Sequence, residues 1–231
     1  MSSCSDDEGA TIVFDIGSHC ARAGFAGDDA PSVDMKYLDC PEFKEKYCDQ
    51  RYKLYYPDDK CNIDVLDEVI SKCIGSLNLS TSNNSEGHLL KDNGILLTEN
   101  LQGCTSKREK LTELLFEKYE VSSLYIAPSP VLSLYSSGRG TGIVVESGNS
   151  VTQTAVIYEG FMFANSVLRK DGAGDEITDN LRNYCRKEKV NYIFSDSDYV
   201  HLKEKYSSCF EASQTKFELP DGTTHSIKST Y

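Results

Sequence analysis

The stretch Ile12-Val13-Phe14-Asp15-Ile16-Gly17-Ser18-His19-Cys20-Ala21-Arg22-Ala23-Gly24-Phe25-Ala26-Gly27-Asp28-Asp29-Ala30-Pro31 decides the fold. Apolar residues of strong β tendency lead into Asp15, and Gly17 and Ser18 supply a tight polar turn before a second short strand, Cys20 to Phe25. The expected result is a hairpin with an acid at its tip. Backbone N–H groups around such a turn can cradle a phosphate, and a neighbouring carboxylate suits a magnesium ion held through water. An ordinary hairpin whose Asp caps its own turn has the same local signature.

A second copy separates the two readings. Ile143-Val144-Val145-Glu146-Ser147-Gly148-Asn149-Ser150-Val151 repeats the order of apolar strand, acid, any residue, glycine, polar turn and new strand, here running through Ile157. Two such hairpins far apart in sequence fit two related domains that face one another across a phosphate chain.

The intervening chain reads as α/β. Ile63, Leu66, Val69, Ile70, Cys73 and Ile74 recur at helical spacing and form one apolar stripe. Gly94 to Thr98 reads as a strand, about Lys107 to Tyr119 as a helix opened by a capping box of Ser106 with Glu109, and Ser123 to Ala127 as a second strand. A crossover helix between two strands makes them a parallel pair. Ser129 is expected to cap a helix from Pro130 to Ser137, with Gly138 just past its end. The glycines at 138, 140 and 142 precede a strand and so are not a dinucleotide fingerprint.

Further along, Asp175 to Cys185 reads as a helix that turns Ile177, Leu181 and Tyr184 inward, and Asp198 to Cys209 as another. A hairpin of Lys216 to Leu219 with Thr223 to Ile227 turns at Pro-Asp-Gly. Ser32 to Arg51 has no clear period and reads as a loop or small lobe, Tyr52 to Tyr56 as a strand stopped by Pro57, and Leu77 to Asn93 as an exposed loop.

Composition narrows the classes. The 231 residues are 39% hydrophobic and 26% charged, with a formal net charge of -12. So acidic a chain does not suit a nucleic-acid or anionic-membrane surface. The start, Met1-Ser-Ser-Cys-Ser-Asp-Asp-Glu8, is not a signal peptide, and no apolar stretch reaches membrane-spanning length. Nine cysteines include no C-x-x-C pair, which favours reduced, mostly buried thiols in a reducing compartment.

The run Ala23-Gly24-Phe25-Ala26-Gly27-Asp28-Asp29-Ala30-Pro31 resembles the N-terminal signature of actins, and Val131-Leu132-Ser133-Leu134-Tyr135-Ser136-Ser137-Gly138-Arg139 resembles their central helix. Tyr158-Glu159-Gly160 and Phe217-Glu218-Leu219-Pro220-Asp221-Gly222 are similar to later actin motifs in the same order. The resemblance implies an α/β, actin-like (ribonuclease H-like) duplicated fold, with two lobes around a nucleotide cleft. The first lobe is expected over residues 1–138, with a reduced inserted subdomain at about 32–60, and the second over 139–231, truncated relative to the family.

The resemblance also implies a site, with ATP and Mg2+ as cofactors. Gly17, Ser18, Arg22, Gly148 and Asn149 fall at phosphate-binding positions, Asp15 and Glu146 at positions that hold the metal through water, and Gly174, Lys203 and Glu204 on the adenosine side. Several residues depart from the family pattern. Arg22 stands for Lys, His19 for a glycine, Glu146 and Asn149 for two aspartates, and Ser129 and Gln153 for the Gln and His that position the attacking water.

The expectation is an actin-like cytoskeletal or actin-related structural protein of the cytoplasm that binds Mg-ATP weakly with little or no hydrolysis and assigns no catalytic residue. Expected partners are other cytoskeletal or actin-complex proteins, with no nucleic acid, no membrane insertion and no filament growth. The alternatives are a nucleotide-free actin-like module in a larger assembly, a truncated or degenerate actin copy, and a phosphotransferase of the same superfamily, for which no carboxylate base is identified.

Overall fold

A computed structural model describes residues 10–40, 43, 62–77, 90, 93–101, 103, 105–188, 194–207, 214–218 and 224–228. The expected strand at 52–56, most of the 32–60 insertion and the 77–93 loop, the Pro220-Asp221-Gly222 turn, and Cys4, Cys48, Cys61, Cys104 and Cys209 lie outside the described residues. The chain divides into two compact units, Met1–Glu146 with Thr152–Lys170, and Ser147–Val151 with Asp171–Tyr231.

The first unit is built outward from the opening hairpin. Strands β1 (Thr11–Ile16) and β2 (Cys20–Phe25) pair antiparallel, with Asp15 opposite Arg22. β3 (Val33–Lys36) adds antiparallel to β2 with Arg22 opposite Asp34, so a strand forms where the sequence reads as a loop. Its four residues alternate buried and exposed, and Val33 and Met35 supply the inward face that a strand needs. On the other side of β1 lie β4 (Gly94–Glu99) and β5 (Ser123–Pro128), both parallel, giving the order β3-β2-β1-β4-β5.

The helices cover this sheet through the expected stripes. α1 (Ile63–Ser76) buries Val65, Leu66, Val69, Ile70, Cys73 and Ile74, and the Asn62 side chain caps it by accepting from Val65 N–H. These residues share one core with Ile12, Phe14, Tyr37, Leu111 and Leu115. α2 (Thr105–Glu113) starts two residues before the sequence-based expectation, so Ser106 lies inside the helix and not at its cap. It continues as one π-helical turn, Leu114–Lys118, and the chain then reverses at Glu120, which takes a left-handed φ of 50°.

α3 (Ser129–Ser136) also differs at its start. Pro128 is its cap residue, and Ser129 is already helical with its hydroxyl directed elsewhere. Its end is as expected: Gly138, at φ 71°, leaves the helix in the left-handed conformation that glycine adopts without strain.

α3 packs on one face of a second sheet formed by β6 (Gly142–Ser147), β7 (Val151–Tyr158), β8 (Phe161–Met162) and β9 (Leu168–Asp171). Leu134, Ala155 and Ile157 fill this interface, with Val131, Val144 and Met162 around them. A two-residue turn, Glu159-Gly160, joins β7 to β8 with positive φ at both positions, as a tight hairpin requires.

In the second unit, α4 (Gly174–Lys187) packs against α5 (Asp196–Tyr206) through Leu181, Cys185, Tyr199 and Leu202. The buried stripe of α4 is Thr178, Leu181 and Cys185, and the expected Ile177 stands 37% exposed. Leu181 is buried as expected and Tyr184 packs against the same cluster, while Cys185, four residues after Leu181, joins the helix–helix contact. Ser195 and Asp198 close a reciprocal capping box at the start of α5. β10 (Gln214–Glu218) and β11 (Thr224–Lys228) form the expected antiparallel hairpin. Among the described residues, Cys20, Cys40, Cys73 and Cys185 are free thiols, and no helix is long and apolar enough to cross a membrane.

Candidate functional site

The two hairpins turn in the same way. Gly17 N–H donates to the Cys20 carbonyl at 3.0 Å, and Gly148 N–H donates to the Val151 carbonyl at 2.9 Å. Each glycine amide is thus already committed within its own turn. The carbonyls of the first loop are held as well: Tyr37 donates its hydroxyl to Gly17 O at 3.0 Å and its amide to His19 O at 3.2 Å. Ser18 sits half-buried between these anchored residues.

Asp15 lies in a polar row across four strands. Its Oδ1 accepts from the Thr98 hydroxyl at 2.6 Å, and its Oδ2 lies 3.7 Å from Arg22. Arg22 also lies 3.4 Å from Asp34 on β3. One cation therefore stands between two carboxylates, so the arginine charge is directed along the sheet. The second oxygen of Asp15 makes only this loose contact among the described bonds, which leaves room for a metal-bound water. An oxygen donor of this kind suits magnesium.

Glu146 is held far more closely. Its Oε2 accepts from the Ser129 hydroxyl at 2.8 Å and from Gln153 Nε2 at 2.6 Å, while its Oε1 accepts from the Ser133 hydroxyl. A carboxylate offers about four lone-pair sites, and three are taken. The remaining site on Oε1 is compatible with one water, as an outer-sphere metal ligand needs.

Gln153, 3% exposed, is fully engaged. Its Oε1 accepts from Leu101 N–H at 2.9 Å, and its Nε2 also reaches Ser129 Oγ at 3.1 Å and Asn100 Oδ1 at 3.4 Å. Ser129 donates its only proton to Glu146 and accepts from Gln153. Ser129 and Gln153 thus satisfy one another and the carboxylate.

The candidate residues of the second unit form their own cluster. The Gly148 carbonyl accepts from Gly174 N–H at 3.1 Å, and the Asn149 carbonyl accepts from Asp175 N–H at 2.8 Å, which ties the turn to the start of α4. Lys203 on α5 donates from Nζ to the Gly174 carbonyl at 2.9 Å. A β-carbon on Gly174 would lie 3.3 Å from both the Gly148 carbonyl and Lys203 Nζ, so the approach is close. Burial pushes the Lys203 pKa below the ordinary lysine value, and Glu204 and Asp175 oppose that shift. Glu204 itself is exposed beside it.

Thr98, Ser133 and Asp34 belong to this arrangement and were not among the sequence-based candidates. Ser133 carried a usable signal, since it lies four residues after Ser129 and so shares its helical face. Thr98 and Asp34 required the strand order.

Two strand–acid–turn hairpins, each opening a sheet backed by helices, define the chain as an α/β protein of the actin-like fold class. The family model described as Actin matches residues 6–206, and the chain belongs to the actin family. It is similar to the Dictyostelium discoideum protein named Putative actin-29, at 30% identity over 222 residues, covering 87% of this chain and 56% of that relative. The chain thus spans little more than half the length of this curated relative.

Proposed function

We propose that this chain is an actin-related structural protein of the cytoplasmic cytoskeleton that binds Mg-ATP weakly and hydrolyses it little or not at all. The observation that carries this reading is the closed network of Glu146, Ser129, Gln153 and Ser133. Hydrolysis needs a polar group free to orient a water in line with the terminal phosphate. Here the Ser129 hydroxyl donates to Glu146, and Gln153 donates from its Nε2 to Glu146 while its Oε1 accepts from Leu101 N–H.

In this reading Asp15 and Glu146 hold magnesium through water, and the metal supplies the charge that offsets the phosphates. Ser18, with Gly17, Arg22, Gly148 and Asn149, contributes phosphate contacts, and Gly174, Lys203 and Glu204 serve the adenosine side. Weak affinity follows from the amides of Gly17 and Gly148 bonding within their turns and from Arg22 being shared between Asp15 and Asp34. The same capture of Arg22 favours a second reading, a nucleotide-free module that docks among cytoskeletal or actin-complex proteins.

Titration of the purified protein with a fluorescent ATP analogue, with and without magnesium, separates the two. Saturable, magnesium-dependent binding with phosphate release far below that of actin is expected. Release at an ordinary actin rate overturns the catalytic half, and absence of saturable binding leaves the nucleotide-free reading.

A further inference from the structure

We propose that Asp34 on β3 is a specificity-determining residue of the Ser18 loop: by neutralising Arg22 it makes the loop select a polyphosphate that carries a divalent cation over the same polyphosphate free of metal. This rests on the Mg-ATP reading above and adds to it the residue that sets the metal preference.

Three observations lead to it. The first is register. β1, β2 and β3 place Asp15 opposite Arg22 and Arg22 opposite Asp34, so the three side chains stand in one row across the sheet. Directly opposed residues are the closest side-chain neighbours that paired strands provide. Among the proposed phosphate contacts of the first hairpin, Gly17, Ser18 and Arg22, only the arginine carries positive charge, and its Nε lies 3.4 Å from Asp34 Oδ1.

The second is that the two carboxylates of the row differ in their ties. Asp15 accepts from the Thr98 hydroxyl at 2.6 Å as well as facing Arg22 at 3.7 Å. Asp34 has one ion-pair partner among the described residues, Arg22, and both side chains are half-exposed. Its work at this place is therefore electrostatic: it cancels the cation that a phosphate would use.

The third is the balance of the surrounding face. Lys36 follows Asp34 by two residues and so shares its side of the strand. Cys20, opposite Lys36, lies among all four charges: burial raises its pKa, Arg22 and Lys36 lower it, and Asp34 and Asp15 raise it further. Two cations thus stand against two anions, and removing the charge of Asp34 or of Lys36 tips this balance in opposite directions. A metal-free polyphosphate carries more negative charge than its magnesium complex, so it gains or loses more from each change.

The test uses the full chain and a fluorescent ATP analogue titrated at low ionic strength, once with excess magnesium and once with a chelator. The readout is the ratio of the two dissociation constants, since a merely structural effect shifts both alike. Asp34→Asn is expected to lower the preference for the magnesium form about threefold, Lys36→Gln to raise it about threefold, and both changes should shrink at about 0.15 M salt, where screening is stronger. Asp34→Glu, which keeps the charge, should keep the ratio. Asp34 and Lys36 are both exposed, so circular dichroism should stay unchanged, and either variant alone carries the test should the other misfold. A ratio unmoved by Asp34→Asn and by Lys36→Gln, with binding intact, overturns the proposal and leaves the Mg-ATP reading standing. Saturable binding by Asp34→Asn and not by the unsubstituted chain supports the proposal against that reading, and no saturable binding by any of these proteins overturns both.

Discussion

Replacing Gln153 with leucine isolates the polar work of the most buried residue in the candidate site. The two side chains have similar size, so packing around Ala155 and Leu101 is largely kept. Four hydrogen bonds are lost, and two of them carry most of the cost. Leu101 N–H, buried in the same cluster, loses its acceptor, at about 1–3 kcal/mol, and Glu146 loses a charge-assisted donor, at about 1.5–3 kcal/mol. Apolar burial of the leucine returns about 1–2 kcal/mol. The net loss is about 3 kcal/mol, or a melting temperature lower by about 6–12 °C for a unit of this size. Urea denaturation followed by circular dichroism measures it directly. Gln153→Glu is the companion variant: it keeps an acceptor for Leu101 but sets a second carboxylate against Glu146, so its deficit should shrink as the pH falls and one of the two is protonated. A loss below about 0.5 kcal/mol for Gln153→Leu would refute the claim that this network holds Glu146 in place.

Two further outcomes test the frame of the first unit. Glu99 is buried and pairs at 2.5 Å with Arg108, whose side chain is half-exposed, so Arg108→Ala should destabilise by about 1–3 kcal/mol, with Glu99→Gln in the same chain restoring part of it in thermal melts. Cys73 is fully enclosed on the buried face of α1, and burial, with a smaller push from Cys40, raises its pKa from 9.0 to about 11. The folded state therefore favours the neutral thiol: its contribution is complete below about pH 9 and lost as the pH rises toward 11, some 3 kcal/mol in all. Denaturation curves between these pH values should flatten in Cys73→Ala; equal slopes in both proteins would remove the thiol from the alkaline response.

What could be read from the chain, and what could not, divides by range. The two hairpins, the α1 stripe and the β4–α2–β5 crossover rest on neighbours a few residues apart, and local periodicity reveals them. β3 escaped because four residues carrying Asp34 and Lys36 look charged rather than alternating, and its partner β2 supplies most of the reason for its form. On α4 periodicity selects Leu181 and Tyr184, which do pack at the helix–helix contact, but Ile177, the more apolar choice in the first turn, is exposed, and Cys185 joins the contact with Tyr199 and Leu202. Ser129 shows the same limit in the site. Its type and position suit a helix cap, but Glu146, 17 residues on in sequence, offers a charged acceptor, and the charged partner wins. The partners Thr98 of Asp15 and Gln153 of Glu146 join elements by tertiary pairing and leave no periodic trace.

The row Asp15–Arg22–Asp34 has a consequence for the order in which ions can arrive. Asp15 and Asp34 are matched there by Arg22 and, two residues from Asp34 on the same strand face, by Lys36, so the β1–β2–β3 surface is close to neutral within a chain that is itself strongly acidic. On the Mg-ATP reading proposed above, a bare polyphosphate would find no local excess of positive charge at the Ser18 loop to offset the repulsion of the whole chain. An anion accompanied by a divalent cation would meet less of that repulsion, so on that reading the metal would ease entry as well as binding.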